Sequence, residues 1–274
     1  MLKFWEIMCF MDMRKNYITP ELEQFIDQIA HRTSIISNHK ELQQSGKRLF
    51  DLLGYDETMY VYNFLWAGIP SIQLPQDLIV KQELIWECQP NVIVETGVAW
   101  AGGLAFYNSM LMLLEMCGII QERRVAGIDI EIRDHTKKIL EAHPLCRDVL
   151  VFEGSSVTAE AKSFVQDILG NIASPKPLFV LDSFHSKDHV LQELELFAPL
   201  VPNGGYIIVE DTAIEFHGKN DHRGARWGPG NSPWSAIQQF MKSEAGHCFE
   251  VVEDITAKLV LTGMPGGVIR KVGK

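Results

Sequence analysis

The chain has 274 residues, of which 46% are hydrophobic and 22% charged. That is enough for one large domain with a modest addition, and it excludes a disordered, fibrous or membrane-embedded composition. The formal net charge of −10 argues against nucleic acid as a partner and leaves cations and neutral small molecules.

The start, Met1 to Phe10, is apolar but short, and Glu6 interrupts it. It reads as neither a signal peptide nor a membrane span, so no membrane partner is expected. The five cysteines, Cys9, Cys88, Cys117, Cys146 and Cys248, are widely spaced with no CxxC pair. Reduced thiols in a cytoplasmic protein fit that usage. Residues 20–53 read as helical, because Leu22, Phe25, Ile26 and Ile29 recur at helical spacing after the cap Thr19 and Pro20. Residues 60–76, with Gly68, Pro70 and Pro75, read as an extended connector, and residues 77–88 return to helical spacing. The expected division is an N-terminal helical extension over 1–76 and one α/β domain over 77–274.

From residue 91 the pattern changes to short β-branched runs separated by helix-length stretches. The runs are Val92 to Val94, Val125 to Ile130, Val149 to Val151, Phe179 to Leu181 and Tyr206 to Val209. They are continuously apolar, as in strands covered on both faces, so a mostly parallel sheet of βαβ units is expected. Cys248 to Val252 and Leu259 to Leu261 are separated by a short turn and suggest a closing antiparallel hairpin.

In open α/β sheets ligands sit outside the carboxyl ends of the strands, so the residues ending each run matter most. The first run ends in Glu95, Thr96 and Gly97, with Ala99 at the second glycine of a dinucleotide fingerprint, which argues against a pyrophosphate there. The second ends in Asp129, which either accepts hydrogen bonds from ribose hydroxyls or caps the next helix. The third ends before Ser155 and Ser156, placed to border an adenine or to cap a helix. The fourth and fifth end in Asp182 and in Glu210 and Asp211. On adjacent strands these three carboxylates converge and repel one another unless a cation joins them, and Mg²⁺ suits such oxygen ligands. The alternative is that Asp182 caps a helix while the other two face solvent. Residues 212–234, with His217, His222, Arg223, Arg226, Trp227 and Trp234, read as a substrate-covering loop or an oligomer contact.

The Glu95–Thr96–Gly97 turn resembles the first motif of class I methyltransferases. The spacing of Asp182, Glu210 and Asp211 is similar to the metal triad of catechol O-methyltransferases, with Asp211 in place of an asparagine and His185 where that family has its catalytic lysine. Across roughly residues 60–270, the stretches WAGIPSIQLPQDLIVKQELIWECQPNVIVETGVAW, VLDSFHSKDHVLQELELFAPLV and GGYIIVEDT resemble the cephalosporin hydroxylase family, with Trp100 where that family shows histidine. This resemblance implies a Rossmann-like class I methyltransferase sheet binding S-adenosylmethionine and working as a homo-oligomer. The cofactor residues implied are Gln73, Glu95, Thr96, Gly97, Asp129, Ser155, Ser156 and Asp182. The metal ligands implied are Asp182, Glu210 and Asp211. The expected reaction is methyl transfer to a hydroxyl of a natural product or sugar, with His185 as general base and Lys187 and His189 as nearby alternatives. A non-catalytic cofactor-binding partner and an NAD-dependent oxidoreductase are the competing readings.

Overall fold

A computed structural model of the chain describes residues 19–53, 58–217 and 226–273. Cys9, the apolar start, His222 and Arg223 lie outside them. Two helices open the described chain, α1 (Pro20–Asn38) and α2 (Lys40–Leu53). The stretch expected to be helical over 20–53 is thus two helices, parted at His39, whose extended backbone ends α1. The expected connector holds a single 3₁₀ turn at Tyr60–Asn63 and a two-stranded ribbon, β1 (Leu65–Trp66) and β2 (Ile69–Pro70). Trp66 Nε1 donates to Ser109 Oγ at 3.1 Å and its ring meets Phe106 edge-on, which docks the ribbon on the main body.

The body alternates as the runs imply: α3 (Pro75–Cys88), β3 (Val92–Thr96), α4 (Gly102–Met116), β4 (Arg124–Asp129), α5 (Asp134–Ala142), β5 (Val149–Glu153), α6 (Ala159–Gly170), β6 (Pro177–Leu181), α7 (Lys187–Phe197) and β7 (Tyr206–Val209). Then come α8 (Pro233–Phe240), β8 (Phe249–Val251), α9 (Glu253–Ala257) and β9 (Val268–Lys271). The seven-stranded sheet has the order β5-β4-β3-β6-β7-β9-β8. Strands β3 to β7 pair in parallel, and β9 pairs antiparallel with both β7 and β8. The antiparallel close of the sheet is therefore present, but Leu259 to Leu261 is not its second strand. Val268–Lys271 takes that place, with α9 intervening.

Alternation sorts the strand residues into two cores. Ile93, Val125, Leu178, Val180 and Ile208 pack with α3 and α4, while Val92, Val94, Phe179, Leu181 and Val209 pack with α6, α7 and α8. Helices thus cover both faces, the arrangement that parallel strands require. Strand order reverses between β3 and β6, which opens a crevice at their carboxyl ends. Among the described residues no helix is long and apolar enough to cross a membrane.

Candidate active site

Two loops meet at that reversal. The Asp182 amide donates to the Thr96 carbonyl at 3.0 Å and to Thr96 Oγ1 at 3.3 Å, and the Gly97 amide donates to the Ile128 carbonyl at 2.8 Å. Gly97 adopts φ +88°, and a Cβ there would lie 1.9 Å from the Asp182 carbonyl oxygen. Only glycine fits both the angle and the contact. Ala99 holds a left-handed backbone at φ 46°, so alanine takes over the conformation expected of a second glycine.

The loops border a cavity of about 730 Å³ lined by residues from nearly every loop at this end of the sheet. Gln73, Gly97, Asp129, Asp182, His185, Glu210 and Asp211 all face it. A smaller recess beside it is lined by Gln73, Glu95, Gly97, Val98 and Gly103. Gln73 Oε1 is buried there with no hydrogen-bond partner, an acceptor open to a ligand's donor. Burial pushes the Glu95 carboxyl up to about 8, with nearby Lys81 opposing the shift. A cationic ligand group beside Glu95 would restore its charge.

Asp129 is committed in part. Its Oδ2 accepts from the Val98 and Ala99 amides at 2.8 and 3.3 Å, and its Oδ1 accepts from the Glu131 amide at 3.2 Å. The carboxylate therefore braces the glycine turn as well as facing the cavity. Neither Ser155 nor Ser156 lines the cavity or the recess. Ser156 Oγ lies 3.1 Å from His189 Nε2, which also contacts Ser183 Oγ at 3.0 Å, and the Ser183 hydroxyl donates to buried Glu193 at 2.7 Å. That network ties both Ser156 and His189 into the fold. The Lys187 amide caps onto Asn231 Oδ1 at 3.0 Å, at the start of α7.

The acidic residues are only partly gathered as expected. Asp182, His185 and Asp211 each offer a ligand atom within 4.8 Å of the others. His185 Nε2 lies 3.2 Å from Asp211 Oδ2, and its ring meets Trp227 edge-on at 5.2 Å. Two carboxylates and an imidazole form a donor set that fits a divalent cation. Burial, and then the neighbouring Glu210 and Asp211, hold the Asp182 carboxyl well above the ordinary carboxylate range, the repulsion a cation would relieve. Glu210, the third expected acid, also lines the cavity, and its Oε1 lies 2.5 Å from Lys81 Nζ, with both side chains buried.

Asp77 and Lys81 of α3 were not singled out by sequence reasoning. They sit four residues apart on the face that also buries Val80, Leu84 and Ile85. Charged residues on the apolar face of a helix were the available signal. Asp77 Oδ2 accepts from the Gly263 amide at 2.8 Å, and burial pushes its carboxyl up to about 7. Aromatic residues Phe50, Tyr60 and Tyr62 also line the cavity, joining Trp100 and Trp227.

A family model described as rhamnosyl O-methyltransferase/CmcI matches residues 58–272. The chain belongs to that family. A rhamnosyl O-methyltransferase of Mycobacterium leprae is 29% identical over 192 residues, covering 68% of this chain and 76% of its own length. One from Mycobacterium bovis is 31% identical over 189 residues, covering 66% and 69%. A CmcI structure with Mg and SAM aligns with a TM-score of 0.54 at 18% identity, over 77% of this chain and 78% of that one, and shows the shared fold. The match to the rhamnosyl O-methyltransferase/CmcI family begins at residue 58, so the β1–β2 ribbon falls inside it and α1 and α2 fall outside.

Proposed function

We propose that this chain is an S-adenosylmethionine-dependent O-methyltransferase that methylates a hydroxyl of a sugar or other small natural product, with a divalent cation such as Mg²⁺ in its cavity. The observation that carries the reading is the convergence of Asp182, His185 and Asp211 beside the Gly97 turn, in a chain of this family. When bound, the cofactor supplies a methyl group on a cationic sulfur and the metal supplies positive charge to an acceptor oxygen.

The protein's own residues then have distinct tasks. Asp182 and Asp211 hold the cation. His185, held through Nε2 by Asp211 and packed edge-on against Trp227, takes the proton of the acceptor hydroxyl at its other ring nitrogen, Nδ1. Gln73 Oε1 and Glu95 receive the amino-acid end of the cofactor in the small recess. Thr96 and Gly97 shape the turn around it, and Asp129 faces the ribose. Ile130 and Glu131, which line the cavity, replace Ser155 and Ser156 beside the adenine. The aromatic lining from Phe50, Tyr60, Tyr62 and Trp100 suits the apolar face of a sugar ring.

The curated relatives named rhamnosyl O-methyltransferase support a sugar acceptor. The same reading has a homo-oligomer in the cytoplasm. Exposed Phe25, Ile29 and Ile35 on α1 support self-association, which light scattering would measure. Asp182→Ala should lower methyl transfer by about 100-fold or more. Unchanged turnover in that variant sinks the metal mechanism, and calorimetry showing tight binding of NAD without binding of S-adenosylmethionine sinks the cofactor assignment.

A further inference from the structure

We infer that Asp51 of α2 and His217 form a hydroxyl-binding subsite for the sugar acceptor, with His217 Nε2 as the contacting atom and Asp51 as its positioning residue. The inference rests on the sugar-methylating reading and adds the residues that grip a hydroxyl other than the one methylated.

α2 is seated closely on the body. Gly46 is its one buried residue, and a Cβ there would lie 2.1 Å from the Val260 carbonyl oxygen. That approach brings the last turn of α2, with Phe50 and Leu53, to the wall of the cavity. His217 lines the same cavity from the segment that follows β7, and its side chain is only 10% exposed.

Two contacts fix the imidazole. A carboxylate only accepts, so Nδ1 donates to Asp51 Oδ1, at 2.7 Å. The Phe50 ring stacks on it, with centroids 4.2 Å apart and planes 23° apart. The other ring nitrogen, Nε2, has no hydrogen-bond partner among the described residues. A carboxylate that holds one nitrogen of a histidine orients the other for a ligand.

The surroundings select the ligand. A hydroxyl both donates and accepts, so it bonds Nε2 whether the ring is neutral or protonated. An anion would meet Asp51 behind the ring and Asp182, Glu210 and Asp211 elsewhere in the cavity wall. A purely apolar group would leave Nε2 buried and unpaired. A neutral ring with several hydroxyls meets every condition, with Phe50 offering its apolar partner. α2 precedes residue 58, where the family match begins, so Phe50 and Asp51 are this chain's own addition to the acceptor side.

The test measures the binding of p-nitrophenyl rhamnoside and of its monodeoxy analogues to the full chain saturated with S-adenosylhomocysteine. Ligand-observed NMR reads it, with no turnover required. His217→Asn is the central variant, because the asparagine amide keeps a donor for Asp51 in place of Nδ1 and removes Nε2. It should weaken the rhamnoside about 3- to 10-fold, the range for one hydrogen bond, while S-adenosylmethionine affinity in calorimetry stays within about 2-fold. One monodeoxy analogue should bind the parent about 3- to 10-fold more weakly than the rhamnoside does, and His217→Asn should weaken it no further, because the hydroxyl held by Nε2 is already missing. Asp51→Ala should give the same pattern through loss of the brace. Rhamnoside binding by His217→Asn within about 2-fold of the parent overturns the inference. So does an equal loss for the rhamnoside and all its analogues, or an equal fall in S-adenosylmethionine affinity, since the pair then only ties α2 to the body. If His217→Asn does not fold, by its thermal melt, Asp51→Ala, with a side chain 54% exposed, decides on the same criteria. A parent chain that binds S-adenosylmethionine but no rhamnoside removes the sugar reading itself, and the subsite with it.

Discussion

A methyl group added at position 97 would collide with the Asp182 carbonyl oxygen, and Asp182 is the first of the proposed metal ligands. Gly97→Ala is therefore expected to disturb two functions together. S-adenosylmethionine affinity in calorimetry and Mn²⁺ affinity should both fall about 10-fold or more, since φ +88° is also unfavourable for alanine. Loss of one without the other would show that the two loops move independently. Glu95 offers a second measurement. Its carboxyl is raised from 4.5 to about 8 by burial, so the folded state holds the proton more tightly than the unfolded chain. The stability this confers is complete below pH 4.5 and is lost as the pH rises through 8, at about 1.4 kcal/mol for each pH unit between those two values. Asp77, raised from 3.8 to about 7, acts with the same sign over a lower window. The unliganded protein should melt at a lower temperature at pH 9 than at pH 6, and Glu95→Gln should reduce that difference. An identical pH dependence in the variant would place the titrating group elsewhere.

Among the elements, α2 stands apart because it lies outside the family match yet lines the cavity through Phe50 and Leu53. Gly46 is its contact point: a Cβ there would lie 2.1 Å from the Val260 carbonyl oxygen. Phe50 stacks on His217 with ring centroids 4.2 Å apart, and Asp51 accepts from His217 at 2.7 Å. Gly46→Leu should lift α2 from the cavity. The acceptor KM should change several-fold while S-adenosylmethionine affinity stays within about 2-fold, because Gln73 and Gly97 are untouched. Equal effects on both ligands would mean that α2 supports the whole domain. The element scale also shows what was legible in the sequence. Continuous runs such as Val92 to Val94 and Tyr206 to Val209 announced buried parallel strands, since they are apolar on both faces and too short for a buried helix. The short Val268–Lys271 strand follows two glycines and has only two apolar residues before two basic ones, while Leu259 to Leu261 looked more strand-like in isolation. Its choice was made by the vacant edge of β7, a tertiary fact. Asp182 and Asp211 were legible because strand ends are where ligands bind. The pairing of Glu210 with Lys81 was not, because Lys81 lies more than a hundred residues earlier and only packing joins them.

For the molecule as a whole, the carboxylates at one end of the sheet are a stored electrostatic cost that ligands remove. A cation binding only the native state at 100 times its dissociation constant adds about 2.7 kcal/mol. For a chain of this size that raises the melting temperature by roughly 5–10 °C. Scanning calorimetry with Mg²⁺ and then with excess EDTA should show the rise and its reversal, and Asp182→Asn should abolish it. A rise that persists in that variant would come from cations on the acidic surface.

The placement of β9 between β7 and β8 has a consequence for biosynthesis. As the chain grows from its N-terminus, β3 to β7 emerge in order and are able to pair as they appear. β7 then keeps one edge bare while residues 210–267 are still being added, and β8 has no neighbour to join until β9 arrives. An unpaired strand edge beside an exposed apolar face is a site for misassembly. The nascent protein therefore passes through a stage in which the methyltransferase crevice is largely formed but the sheet is still open at one side, and it is there that a stalled or truncated chain would be captured by chaperones or lost to aggregation.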